Sequence, residues 1–300
     1  MISGIKSKYA NYRLNKINKM ENSINGEEGS IKAAPNSPKK IMPDKLKITL
    51  RTLPKQLSIA KNMENSVKSL KNNPEKPQFS ADADFIHRFE EYALSLGIDK
   101  IKYVKIPPEL IFRDKSVLFE NAIIFIMEMD KPAIDKAPSD DTQSMSVTTY
   151  DELGKKTNQL AEFLRENGFA AQASHPAGGF VIYPQLAQQA GLGYMGRHGM
   201  LITPEFGPRQ RISAIFTSIE NLTFANENVH SWIPDFCQKC SNCIKKCPGN
   251  AIIEVGSYEA GDLITKIIKD LCHGCTICMR ECSFNKRDYN HIKSKVERII

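Results

Sequence analysis

The chain has 300 residues, 41% hydrophobic and 25% charged, with a formal net charge of +7; that is length and apolar content for two globular domains. Residues 1–80 hold 16 Lys and Arg against 6 Asp and Glu, whereas the remaining 220 hold 25 against 28. The basic balance therefore belongs to an N-terminal segment, which supports weak binding to any polyanion without making the fold a nucleic-acid reader, and no apolar run approaches the ~20 residues that a membrane-spanning helix needs.

In chain order, residues 1–80 are rich in Lys, Asn, Ser and Pro. They are expected to form a basic, largely disordered arm, because so little apolar surface cannot offset the entropy of ordering. Leu46, Ile48 and Leu50 alternate with Lys45, Lys47, Thr49 and Arg51, the period-two pattern of a strand. The first twenty residues carry charges throughout, with no apolar core and no arginine pair, so a cytoplasmic protein without a secretory signal is expected.

Order is expected from Ala81. Phe85, Phe89, Ala93 and Leu96 form a helical stripe that Gly97 ends. Lys100–Lys105 and Asn121–Met127 read as strands, the second containing the most apolar run, Ala122–Met127. A polar, Pro-containing loop is predicted from Asp130 to Ser146, then a helix over about Thr149–Asn167 that buries Leu153, Leu160, Ala161 and Leu164 and stops at Gly168. A loop at His175–Gly179 leads to a short helix over Pro184–Ala190. Gly199–Thr203 and Ile212–Ile219 are expected to pair as strands across Pro204–Arg211. The alternation implies an α/β or α+β domain.

All eight cysteines stand in two runs of identical form, C-x2-C-x2-C-x3-C: Cys237, Cys240, Cys243, Cys247 and Cys272, Cys275, Cys278, Cys282. A disulfide scaffold scatters its cysteines, and a structural zinc site presents two C-x2-C pairs across a longer loop. This spacing is instead the bacterial ferredoxin run for two [4Fe–4S] clusters. Three thiolates of one run wrap one cluster, and the fourth reaches the other. Cys237, Cys240, Cys243 and Cys282 are therefore assigned to one cluster, and Cys272, Cys275, Cys278 and Cys247 to the second. Pro248 follows the first run, and Ser283 stands at the matching place after the second. Trp232 and Ile233 are expected to pack against the clusters and keep water off the sulfurs.

Ahead of the cysteines stands AGLGYMGRHGMLITPEFGPRQRISAIFT, Ala190 to Thr217. Glycines at 191, 193, 196 and 199 allow close backbone approach to a large flat ligand, or tight turns at a strand entry. The block, and the order of elements over residues 83–286, resemble corrinoid-dependent reductive dehalogenases and epoxyqueuosine reductases. The resemblance implies a nitroreductase-like domain that holds cobalamin, reduced by a bacterial-ferredoxin-like dicluster domain. It points to Gly191, Gly193, Gly196, Arg197, His198 and Gly199 as corrinoid-binding residues. Epoxyqueuosine reductases resemble one another in an upstream aspartate proton donor, and no Asp or Glu occurs between Asn167 and Pro204 here. Dehalogenases look to a tyrosine assisted by a cation, for which Tyr183, Tyr194 and Arg197 are the candidates.

The expected division is a basic arm over 1–80, the corrinoid domain over 81–225, the dicluster domain over 226–290 and a tail over 291–300. The expected activity is reduction of a small organic substrate, with electrons from a ferredoxin or flavodoxin. The alternative is an electron carrier or reductive activator that turns over no substrate itself.

Overall fold

The computed structural model describes residues 17, 23–27, 45–256 and 264–297. At its centre β1 (Lys100–Lys105), β2 (Asn121–Glu128), β3 (Ala171–Ser174) and β4 (Gln210–Thr217) form one antiparallel sheet in the order β1-β2-β4-β3. Ile124 lies opposite Ala214 and Ile123 opposite Ile215. Because side chains alternate along a strand, β2 sends Ile123, Phe125 and Met127 to one face and Ala122, Ile124 and Ile126 to the other. Both faces are buried, which is why the stretch reads as a continuous apolar run.

Helices α1 (Lys45–Lys68), α2 (Ala83–Ser95), α3 (Asp140–Glu166) and α4 (Tyr183–Gln189) surround the sheet. Phe85, Phe89 and Ala93 of α2 and Leu153, Leu160 and Leu164 of α3 cover one face. Leu186 and Ala187 of α4, with Ile111 and Val181, cover the other. The Asp82 carboxylate accepts the Phe85 N–H at 2.6 Å and caps α2. Gly97 (φ 76°) and Gly168 (φ 86°) follow α2 and α3 in the left-handed region, as glycine stops do.

Three expectations are corrected, and a fourth point adds an element. The alternating stretch at Leu46–Leu50 lies in α1, and α1 packs along α3. Ser66 Oγ bonds Asn158 Oδ1 at 2.8 Å, and Asn158 donates to the Asn62 carbonyl at 3.0 Å. The arm is thus ordered from Lys45, the short pair Ile24–Asn25 lies antiparallel to Ser116–Val117, and Ile17 is buried in the core; residues 1–16, 18–22 and 28–44 fall outside the described residues. Second, the Asp130–Ser146 loop holds a short helix, Lys131–Asp135, and the first two turns of α3. Ser139 Oγ caps α3 by accepting the Thr142 N–H at 3.2 Å. Third, β4 pairs with β2 and β3, whereas Leu201–Ile202 pairs with Tyr194–Met195. Fourth, β3 is a strand that its small, polar residues concealed.

Removing residues 1–80 is therefore expected to strip α1 from α3 and lower the melting temperature, by about 2–4 °C per kcal/mol lost in a chain of this size. An unchanged melting curve would show that α1 contributes nothing to the fold.

Candidate functional site

The two cysteine runs fold alike. Ser241 (φ 51°) and Thr276 (φ 65°) each follow the second cysteine of a run, and both are left-handed. Each opens a one-turn helix, Asn242–Lys245 or Ile277–Arg280, and the two short helices pack on each other. A non-glycine residue in the left-handed region costs about 1–3 kcal/mol and persists only where the surroundings hold it; here the reversal curls each run around a hollow.

Cys237, Cys240, Cys243 and Cys282 line one cavity, of about 20 Å³. Cys247, Cys272, Cys275 and Cys278 line another, of about 270 Å³. Each cavity thus draws three thiols from one run and the fourth from the other. Burial pushes the Cys237 and Cys278 thiols up to about 12 and raises Cys243 and Cys282 as well. The backbone N–H of Arg197 opposes this at Cys237, and that of Phe284 at Cys282. A buried thiol keeps its proton until a metal cation replaces it. Soft thiols in fours, with backbone N–H groups aimed at sulfur, suit an iron–sulfur cluster.

An aromatic and aliphatic shell closes the smaller cavity. Trp232 stands 5.8 Å from the Phe284 ring and 5.2 Å from Tyr289, and Ile202, Ile233 and Ile292 complete the cluster with Cys237 and Cys282. The cysteine segment is tied to the sheet domain by Asn285, which donates to Asp135 at 3.0 Å, and by Arg280 on the Ala137 carbonyl. Gly207 (φ 57°) admits the Phe284 backbone: a Cβ there would lie 2.2 Å from its carbonyl oxygen.

The far wall of the larger cavity comes from the sheet domain: Met129, Ile134, Met145, Ser146, Met200 and Arg211. Arg211 is bonded to Ser146 Oγ at 3.0 Å and Thr149 Oγ1 at 3.4 Å, its Nε has no partner, and its guanidinium lies 3.6 Å from the centroid of the Tyr150 ring. Tyr150 is half-buried and lines neither cavity itself; it reaches the larger one through Arg211, which does. The insertion of β4 between β2 and β3 brings the pair together. That long-range pairing is not visible in sequence, which is why the pair is missed there.

The sequence-derived candidates are distributed differently. Tyr183 and Tyr194 line neither cavity. The Tyr183 hydroxyl is buried against Ser174 Oγ (2.7 Å) and the carbonyls of Ser174 (2.7 Å) and His175 (2.9 Å). Burial raises its proton affinity well above the ordinary tyrosine range. Tyr194 packs against the cluster of Ile202, Ile233, Phe284 and Tyr289. Arg197 lines the smaller cavity, bonded to Ser241 Oγ at 2.9 Å and paired with Glu254. His198 lines both cavities.

The glycine block approaches the chain itself. A Cβ on Gly193 would lie 2.1 Å from the Ile202 carbonyl oxygen, and one on Gly196 would lie 2.7 Å from His198 Cε1. Gly199 (φ 74°) faces Ile267 at 3.2 Å, while Gly191 (φ 75°) ends α4 beside Ala225. These glycines let the Tyr194–Met195 and Leu201–Ile202 pair close tightly. Gly193→Ala is accordingly expected to cost about 1–3 kcal/mol, the range for overpacking, read as a lower melting temperature. A parent-like melting curve would show that the backbone can give way there.

Residues 230–253 match the 4Fe-4S binding domain family. The tetrachloroethene reductive dehalogenase of Desulfitobacterium hafniense is 33% identical over 162 residues, covering 52% of this chain and 27% of that protein. The epoxyqueuosine reductase of Listeria monocytogenes is 25% identical over 157 residues, covering 51% and 40%. The chain thus spans about a quarter of the length of such dehalogenases, at 27%. The solved structure of the catabolic reductive dehalogenase NpRdhA superposes with a TM-score of 0.63 at 20% identity, over 82% of this chain and 38% of that one. A structure described as suggesting a mechanism for B12-dependent dehalogenation superposes with a TM-score of 0.57 at 18% identity, over 81% and 40%. At those identities the likeness is one of fold. The chain is similar to reductive dehalogenases and epoxyqueuosine reductases, and it is a mixed α/β protein with a ferredoxin-like segment.

Proposed function

We propose that this chain is the electron- and proton-delivering part of a corrinoid-linked reductase that acts on a small organic, organohalide-like substrate. The carrying observation is the larger cavity, where four cysteines face a methionine-lined wall that carries Arg211, itself stacked on Tyr150. In this reading Cys237, Cys240, Cys243 and Cys282 hold one [4Fe–4S] cluster, and Cys247, Cys272, Cys275 and Cys278 the other. The domain of residues 81–225 plays the part of a nitroreductase-like corrinoid domain, and residues 226–290 that of the dicluster domain. The external reductant is a ferredoxin or flavodoxin.

A bound corrinoid supplies a low-potential metal centre for two-electron reduction. The chain's own residues do the rest. The methionine wall of Met129, Met145 and Met200 presents an apolar, polarizable surface, which excludes water beside the second cluster. Met129, Met145, Ser146 and Arg211, across the cavity from the second cluster's cysteines, would stand on the corrinoid's side of that cluster. Arg211 holds positive charge in a buried setting and stabilises the phenolate left when Tyr150 releases its proton. Tyr150 Oη is the proposed proton source. The pairing of this tyrosine and arginine favours turnover over a bare electron-carrier role, which would need no proton donor.

The test is anaerobic. Protein carrying iron and sulfide is incubated with cobalamin, a strong one-electron reductant and a halogenated phenol, and halide release is measured. Halide released catalytically and dependent on both protein and cobalamin supports the proposal. Release no faster than from free cobalamin contradicts it.

A further inference from the structure

His198 is the residue that the two cysteine cavities share. It is 6% exposed, and its Nε2 is buried without a hydrogen-bond partner. Its Nδ1 accepts the backbone N–H of Met200 at 3.2 Å. An imidazole nitrogen that accepts carries no proton, so in the neutral ring the proton sits on Nε2. Burial holds the ring neutral, lowering its proton affinity to about 4. The chain thus keeps a fixed N–H donor with no protein acceptor between two sets of four thiols. Leaving such a donor unmet is costly, and the absence of a Cβ at Gly196, which would meet Cε1 at 2.7 Å and Nε2 at 3.1 Å, leaves the ring room to stand there.

We infer that His198 Nε2–H donates a hydrogen bond to a sulfur of one of the two clusters, and so raises that cluster's reduction potential relative to its neighbour. The inference rests on the two-cluster reading above. Its physical basis is electrostatic. Reduction adds negative charge to the cluster sulfurs, and an N–H dipole with its positive end toward them favours the reduced state. A hydrogen bond confined to one cluster would separate the two potentials and bias electron flow between them.

The test begins with iron and sulfide content, then follows each cluster by EPR-monitored redox titration in the parent, His198→Leu and His198→Gln proteins. Leucine removes the donor at similar volume, while the glutamine amide carries an N–H to nearly the same place. The expected result is a lower midpoint potential for one cluster in His198→Leu, little change for the other, and recovery toward the parent value in His198→Gln. Equal shifts in the leucine and glutamine proteins, or none in either, would overturn the hydrogen bond while leaving the two-cluster reading intact. A parent protein without iron would overturn both. Should the leucine variant fail to assemble, a His273→Asn protein labelled with ¹⁵N-histidine decides, since it lacks the other histidine that lines the larger cavity: pulsed EPR of the reduced protein must show a ¹⁵N coupling at one cluster, and its absence refutes the inference.

Discussion

Changing Tyr150 to Phe is expected to reduce turnover by about 10²–10⁴-fold, the range for losing a positioned general acid, while the iron content and cluster spectra stay at parental values. The substitution keeps the ring beneath the Arg211 guanidinium, 3.6 Å away, and deletes only the hydroxyl. Arg211→Leu should lower activity comparably, through the loss of charge stabilisation beside the phenolate. It should also weaken the fold, because Ser146 and Thr149 lose the donor that reaches them at 3.0 and 3.4 Å. Tyr183→Phe supplies the contrast. Its hydroxyl is spent on the Ser174 and His175 carbonyls at 2.7 and 2.9 Å, so its loss should appear in stability and leave turnover nearly unchanged. Halide release by the three variants, measured against melting temperature, checks this. A Tyr150→Phe protein with parental activity would remove the tyrosine from the mechanism.

The second large effect concerns how the cysteines are shared. Cys247→Ala combined with Cys275→Ala is expected to leave one [4Fe–4S] cluster intact and to halve the iron, because both thiols line the larger cavity. If each run instead held its own cluster, the same pair of changes would take one ligand from each and damage both. Cys247→Ala with Cys240→Ala gives the reverse pattern, since Cys240 lines the smaller cavity: both clusters suffer if sharing is crossed, and one if it is not. Iron analysis with Mössbauer spectra of the two double variants separates the cases. An intact cluster in the second protein and none in the first would refute crossed sharing.

What the sequence made legible is what short-range chemistry dictates. Cluster ligands are spaced by the size of the inorganic core, so Cys237 to Cys282 could be grouped in fours before any fold was known. The strand Asn121–Glu128 and helix α2 were equally plain, because a run buried on both faces and a capped amphipathic stripe carry their own signals. The Tyr150–Arg211 pair was not legible. Tyr150 lay within the expected helix, but Arg211 reaches it only because β4 inserts between β2 and β3, a long-range pairing that no local pattern encodes. Ser146, which also holds Arg211, lies in the first turns of α3, and the polar stretch after Pro138 masked that start, although Ser139 followed by Asp140 and Asp141 is a helix-opening signature. At Gly193 and Gly196 the need for space was legible and its object was not. Glycine spacing reports that something comes close, and here that something is the Ile202 carbonyl and the His198 ring. In α1, packing along α3 overrides an alternating pattern that by itself favours a strand.

The most direct test of the account is the metal content of anaerobically purified protein, by iron, zinc and acid-labile sulfide analysis with Mössbauer spectroscopy. Two cubane clusters require about eight irons and eight sulfides per chain, with the spectrum of [4Fe–4S] centres and no stoichiometric zinc. About one or two zinc ions per chain without sulfide, the signature of structural sites built from four thiolates, would contradict it.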